Sequence, residues 1–594
     1  MRKKYFTRLL QTSLMCCLAV LFTACDDFFG NESNPTPAYL SMSDKPVTIK
    51  VGETFLRQAT SASTVVIEYT SSDTKVATVD NSGLVTGVAD GEATITATAT
   101  GYSSKTGTKI YLPDSKSYKV TVGGGSIVPL GPTPGPTALA TPLTMEAITA
   151  GTIKVAGPQA GMQYSLNGGA KQAVSTTAIT VAAGDKVQFY GKGTEIAKYI
   201  GTQIAGGTAE VKVYGNIMSL VDETGFATNT TLTAGDAFNG LFKENAKLTD
   251  ASGLLLPAET LTNSCYYQMF MDCTSLTAAP ATLPAPSLAN YCYSGMFFGC
   301  KALTAAPELK AETLAEGCYS GMFMGCTTLT AAPALPATSL ANSCYSNMFK
   351  GCSKLTTAPA LPAETLAEYC YSGMFEDCKA LTTAPELKVE TLAKGCYSYM
   401  FYGCTSLTAA PDLKAKTLAD RCYLCMFQNC TKLTAAPELK AEPLAKNCYY
   451  AMFQGCKALT TAPELKAETL AENCYYQMFQ GCTSLNAAPE TLPATTLKED
   501  CYYQMFEGCT SLATAPKLPA TSLANRCYLG MFQNCTKLTN AHVKASWNDL
   551  TSYSSTTLFN GCTATSATLH TTTGNKDGWT GKIGTNWTVE GDWN

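Results

Sequence analysis

Histidine is nearly missing: the 594 residues contain only His542 and His570. Imidazole is the usual base near neutral pH and the commonest metal ligand, so two copies leave little room for histidine-based catalysis or a zinc site. Charge is also sparse, at 15% of residues with a net value of −4. No basic stripe exists to neutralise phosphates, and nucleic acid is excluded as a partner. Beyond the first thirty residues no apolar run is long enough to cross a bilayer as a helix. Glycine-rich phosphate loops, spaced carboxylate pairs and nucleophile–base pairs are likewise missing, which argues against an enzyme and against a bound cofactor. The lone CxxC, Cys422 to Cys425, lacks the second pair that a structural metal site requires. Cys425 falls where other copies of the same segment carry Gly, Gln, Asn, Tyr or Ala, so no metal is expected there.

What the chain has in abundance is cysteine, 27 residues, and most of it is periodic. Cysteines at 265, 292, 318, 344, 370, 396, 422, 448, 474, 501 and 527 open eleven copies of one phrase, with eight steps of 26 residues and two of 27. Tyr follows each of them, then Met-Phe, and a second cysteine closes the phrase eight residues after the first. Two worn copies flank the set. Ala237 and Asn245 fill the cysteine columns upstream, and Ser554 and Cys562 fill them downstream. Degenerate ends are expected of a stack whose outermost coils have no neighbour, giving about thirteen coils in all. Within a unit, Leu470, Cys474, Met478, Phe479 and Cys482 recur at steps of 4, 4, 1 and 3. That spacing predicts one face of a short helix or 3₁₀-like arc. Asn486 to Ala488, stopped by Pro489, predicts one brief strand per coil. At a strand spacing of roughly 4.8 Å the coils would extend about 60 Å.

The phrase MFxGCxxL, with an aromatic before it and a proline-containing turn after it, resembles the leucine-rich repeats of BspA-like surface proteins of anaerobic Gram-negative bacteria. It departs from them in its first-column cysteine and in Thr-Ala-Ala-Pro where a strand would carry Leu or Ile. The resemblance implies binding and adhesion, with no catalysis.

Read in order, residues 1–25 carry Arg2, Lys3, Lys4 and Arg8 before an apolar run, the layout of a secretory signal. LFTAC resembles a lipobox, which implies lipidation at Cys25; Asp26 and Asp27 resemble an acidic export signal to the outer face of the outer membrane. Residues 26–37 read as a tether. From 38 to 122 apolar and polar residues alternate, with turns at Asn81-Ser82-Gly83 and Asp90-Gly91, predicting an antiparallel sandwich. Its stretch Tyr69 to Thr98 is similar to the bacterial immunoglobulin-like group 2 domain, which implies a spacer. Residues 123–137 are a Gly/Pro linker. A second β-rich module follows at 138–216, with candidate strands over 151–156, 162–166, 178–181, 186–190 and 210–214, and is expected to dock on the first coil. The repeats occupy 217–562, and 563–594 form a C-terminal cap. Trp579, Trp587 and Trp593, with Trp547, are expected to cover the last coil, a carbohydrate platform being the alternative. The fold class expected is therefore multidomain: two β-sandwich-like N-terminal modules followed by a leucine-rich-repeat α/β solenoid.

The cysteine columns raise the question of disulfides. Cysteines eight residues apart on a helix lie about 12 Å apart, beyond the ~7 Å limit for bridging. Columns of neighbouring coils could bridge if the backbone is extended there, near 5 Å, and not if helices pack at nearly 10 Å. Buried free thiols are the expectation. The tyrosine column, Tyr266, Tyr293, Tyr319, Tyr345, Tyr371, Tyr397, Tyr423, Tyr449, Tyr475, Tyr502 and Tyr528, is the candidate binding strip. Exposed, it would suit sugars or protein partners; otherwise its rings pack between coils with their hydroxyls at the surface. The chain is expected to be a lipid-anchored protein facing the cell exterior, binding a host or bacterial surface protein. Glycan capture and a purely architectural envelope role are the alternatives.

Overall fold

The structure, a computed structural model, describes residues 36–37, 40–42, 47–49, 51–52, 54–61, 65–103, 111–112, 114–122, 139–193, 196, 201–553 and 557–593. Cys25, its signal segment and the linker 123–137 lie outside the described residues. The chain divides into two units, 1–130 and 131–594.

In the first unit the alternating pattern becomes sheet. Along Gly91–Ser103, Ala93, Ile95, Ala97 and Ala99 point inward and are buried, while the residues between them face out. This strand pairs antiparallel with Asp114–Val122 and Val65–Ser71, and Val47–Ile49 joins Asp114–Val122 in parallel. Thr54–Leu56, Leu84–Gly87 and Ala77–Val79 form a second, antiparallel sheet. The turn at Asn81-Ser82-Gly83 forms because Asp80 Oδ1 accepts from the amides of Ser82 and Leu84, while Gly83 supplies a φ of 84°. Thr36–Pro37, at the end of the expected tether, is instead a strand beside Tyr111–Leu112.

The second unit begins with a six-stranded sheet in the order Gln172–Ala173, Gln163–Leu166, Lys186–Tyr190, Thr144–Ala147, Val211–Asn216, Leu248–Leu255. The last of these belongs to the first coil of the repeats and pairs in parallel with Val211–Asn216. The module and the coils therefore share backbone hydrogen bonds and one apolar core.

Among the described residues, none of the full repeats contains a helix, so the α/β expectation is corrected. Every second amide of the arc bonds within its own coil and every other one bonds to the next coil. In the copy at Cys344, the amides of Cys344, Ser346, Met348, Lys350 and Cys352 donate to carbonyls three residues back, at 3.0–3.3 Å. Those of Ser343, Tyr345, Asn347, Phe349 and Gly351 donate to Glu368, Cys370, Ser372, Met374 and Glu376 at 2.7–3.0 Å. The arc is a chain of overlapping tight turns, every second of which needs a residue at positive φ; here these are Ser343, Asn347 and Gly351, at 53°, 55° and 74°. A step of four residues mimics helical spacing, and the recurrence of Gly, Asn and Asp at that step is the signal that distinguishes the two. With both kinds of bond present, the arc's amides are all paired, and apolar pairs such as Tyr345 with Phe349 face the core.

The expected strand layer is thin. Over most repeats it is reduced to single bridges such as Ala331–Thr357 and Thr461–Ala487, with two-residue strands at Thr282–Leu283 and Glu308–Leu309. Proline closes each Thr-Ala-Ala segment and has no amide to donate. After Leu538, where the proline is lost, the layer thickens: Thr514–Leu518, which still carries Pro516, is joined in parallel by Asn540–Val543, Ala567–His570 and Trp587–Glu590. The last two lie beyond the repeats, so the cap prolongs the sheet. Its tryptophans cover the final coil. Trp579 is buried and donates to the Ala545 carbonyl at 3.1 Å, and Trp587 packs 4.8 Å from Phe559.

Candidate binding surface

The side chains that fill the coils set what is left for the outside. Rings of the tyrosine column stack at 5.5–6.0 Å with planes within 11° of parallel. The column is core. Tyr266, Tyr293, Tyr319, Tyr345, Tyr371, Tyr397, Tyr423, Tyr449, Tyr475, Tyr502 and Tyr528 are only 0–2% exposed, so no strip of accessible rings forms there. The hydroxyls do not surface either: those of Tyr266, Tyr293, Tyr319 and Tyr345 are buried without a hydrogen-bond partner. Burial accordingly raises the pKa of these phenols far above the ordinary value. The phenylalanine column, Phe270 to Phe532, stacks in the same manner at 5.3–5.8 Å.

The worn copies join both stacks. Phe238 stacks on Tyr266 at 5.5 Å and Phe242 on Phe270 at 5.3 Å; downstream Phe559 stacks on Phe532 at 5.8 Å.

The cysteines among the described residues are buried free thiols. Coils bond directly to each other through the backbone, so neighbouring columns are at the close spacing rather than the helical one, and distance alone does not forbid bridging. What holds the sulfurs is a different contact. Every second-column thiol, from Cys273 to Cys562, points at the carbonyl of the phenylalanine one coil earlier, as Cys352 does to Phe323 at 3.0 Å. Asn245, in the same column, uses Nδ2 to bond Ile204 of the β module at 2.9 Å. Burial pushes the Cys344 and Cys370 thiols up to about 12.

One residue along from the buried ring, the chain turns outward. This position is Ser in the copies from Ser294 to Ser398 and becomes Tyr at Tyr450, Tyr476 and Tyr503. Those three are half-buried and stack closely, at 4.4 and 4.5 Å. Beside them Gln428, Gln454 and Gln480 form an amide ladder that ends on Glu507, while Gln477 bonds Gln504 at 2.7 Å. Arg526 closes the patch, paired with Asp500 at 2.6 Å and lying 6.0 Å over the Tyr503 ring. Burial raises the pKa of Asp500, and the Arg526 charge opposes that shift. The surface presents phenol edges, amides and hydroxyls with little charge. That it varies between copies while the core does not is the sequence signal that would have found it.

The opposite, strand side offers less. A recess of about 180 Å³ is lined by Asn486, Glu490, Thr514, Lys517 and His542, smaller than typical small-molecule sites. Cys425 lies on the outer face with Tyr399 and is buried; nothing joins it to Cys422 as a ligand pair.

Comparison with known proteins gives two family matches. Residues 40–109 match the bacterial Ig-like domain (group 2). The stretches 259–408, 342–486 and 453–575 match the BspA type leucine rich repeat region, together spanning more than half of the chain. A solved leucine-rich repeat protein from Bacteroides ovatus is similar over 56% of this chain and 88% of its own, at 17% identity and a TM-score of 0.30. No curated protein matches the chain.

Proposed function

The chain belongs to the BspA-type leucine-rich repeat family, and we propose that it is a surface-exposed lipoprotein whose coils form a solenoid that binds protein partners. Leucine-rich repeats commonly mediate protein interactions, and both families found in the chain are as a rule binding or structural modules without catalysis. In this reading Cys25 carries the lipid, the outer membrane is the support, and the Ig-like module is a spacer that lifts the repeats off the surface. The partner is a protein on a host or bacterial surface.

The observation that carries the proposal is the half-buried tyrosine stack with its amide ladder. Tyr476 has a ring on each face, so it offers edges and a hydroxyl to a partner. Sugar recognition needs free ring faces, which this stack does not provide at its centre; a protein surface can use edges, amides and hydroxyls together. The scaffold is already ordered, so little conformational entropy is lost on binding, and adjacent coils present near-identical groups that act together.

The test is a binding screen of the chain against immobilised extracellular-matrix proteins and a glycan array, repeated with Tyr476→Ala and Gln454→Ala. Saturable binding to a protein that both substitutions weaken supports the proposal. Binding confined to glycans moves the reading to glycan capture, and silence on both leaves an architectural envelope role.

A further inference from the structure

The only two histidines in the chain come together. His542 and His570 occupy one rung of adjacent parallel strands, and their rings stack at 4.3 Å. The next strand puts Glu590 on the same rung as His570, and Asp592 follows just beyond the strand. Nδ1 of His570 lies 2.9 Å from both Asp592 oxygens and 3.8 Å from a Glu590 oxygen. Donor atoms of all three residues lie within 4.8 Å of one another.

We propose that His570, Glu590 and Asp592 bind a divalent first-row metal ion, of which Zn²⁺ is the probe. Two carboxylates converge on one imidazole nitrogen, more negative charge than a single imidazolium balances. Lys517, across the rung on the other side of His542, is paired with Glu490 at 3.1 Å, and the stem of Lys576 packs beside Gly591 without an ion pair to either carboxylate among the described contacts. A dication fills that deficit and takes the place of the proton shared by His570 and Asp592. Bond lengths to zinc of about 2.0–2.2 Å put neighbouring ligand atoms roughly 2.9–3.7 Å apart, the range already spanned by the His570–Asp592 contact and nearly met by Glu590. Imidazole with carboxylates and no thiolate selects a borderline ion over a soft one. His542 is the positioning residue: its ring backs His570, its own Nδ1 is buried and unpartnered, and Trp593 stands edge-on to it at 5.9 Å.

Because Glu590 and Asp592 lie on the last strand and just after it, and His570 lies on the strand before, the ion fastens the C-terminal edge of the sheet. Three protein ligands leave at least one position open for water or for a donor from outside. Calorimetric titration of the full chain with Zn²⁺, alongside His570→Phe and Asp592→Asn, tests this. His570→Phe keeps the stacked ring and Asp592→Asn keeps the shape, so both fold. Expected are saturable binding weakened roughly 10- to 100-fold or more in each variant, and zinc-dependent protection of the amides of 587–593 from hydrogen exchange in the parent alone. Absence of saturable uptake at millimolar zinc, or uptake retained in both variants, overturns the proposal.

Discussion

Tyr475 and Tyr476 are neighbours in the chain and belong to different worlds. The first is core, stacked at 5.8 Å on the rings above and below it. The second is half-buried in a tighter stack at 4.4 and 4.5 Å that borders an amide ladder. In a four-residue turn the backbone presents two successive side chains inward and two outward, so one step along the chain exchanges core for surface. The column that never changes is the one that fills the coil. The column that alternates among Ser, Leu and Tyr is the one free to acquire a partner.

Thiol reactivity gives the widest contrast between inside and outside. A reagent such as a thiol-reactive disulfide is expected to leave the repeat cysteines of the native chain untouched and to label them on unfolding, because buried thiols with a raised pKa expose no thiolate. Cys562 and Cys425, 7% and 4% exposed, should be the first of the described cysteines to react in the native chain. Rapid labelling of Cys344 without unfolding would break the contrast.

Next comes truncation of the rings. Tyr371→Ala should cost about 3–5 kcal/mol, by analogy with other buried aromatics, and Tyr476→Ala about 1 kcal/mol for a lost surface stack. Urea unfolding curves compare the two; equal losses would mean the outer column is also structural.

Alkaline pH should separate core from surface again. Unfolded thiols ionise near pH ~8.5, whereas Cys344 and Cys370 in the folded chain hold their protons to about 12. Between those values the folded state binds more protons than the unfolded one. Stability is therefore full below the unfolded value and falls as pH rises towards 12. Thermal midpoints measured across that window should drop, and less so in a chain with first-column cysteines replaced by Ala.

A smaller effect is expected at the turns. Gly351→Ala forces a Cβ into a φ of 74° and should cost about 1 kcal/mol, with Gly351→Asn milder, since Asn429 and Asn534 fill that column in other coils at 61° and 60°. Smallest of all, Lys416→Ala removes an exposed pair with Glu390 at 2.7 Å and should leave the thermal midpoint unchanged within error.

Much of this architecture was legible beforehand. The repeat, its frame, both worn ends and the strand Lys186–Tyr190 follow from periodicity and alternation, as does the sheet character of residues 38–122. The helical reading of the arc failed because apolar positions four apart fit a helix and a run of turns equally well; Gly, Asn and Asp at the same step carry the difference. The tyrosine column read as a candidate binding strip is core instead, since tyrosine suits both core and surface by chemistry and only its surroundings decide.

The sequence by itself determined that near-identical units must stack in register, because each carries an apolar face it cannot bury alone. It also determined where the set begins and ends. Only the tertiary structure decided which tyrosine faces solvent, that the thiols bond to carbonyls one coil away, that His542 stacks on His570, and that His570 meets Glu590 and Asp592. Those contacts join residues from 20 to 50 positions apart, and their geometry exists only once neighbouring coils are hydrogen-bonded in a fixed register.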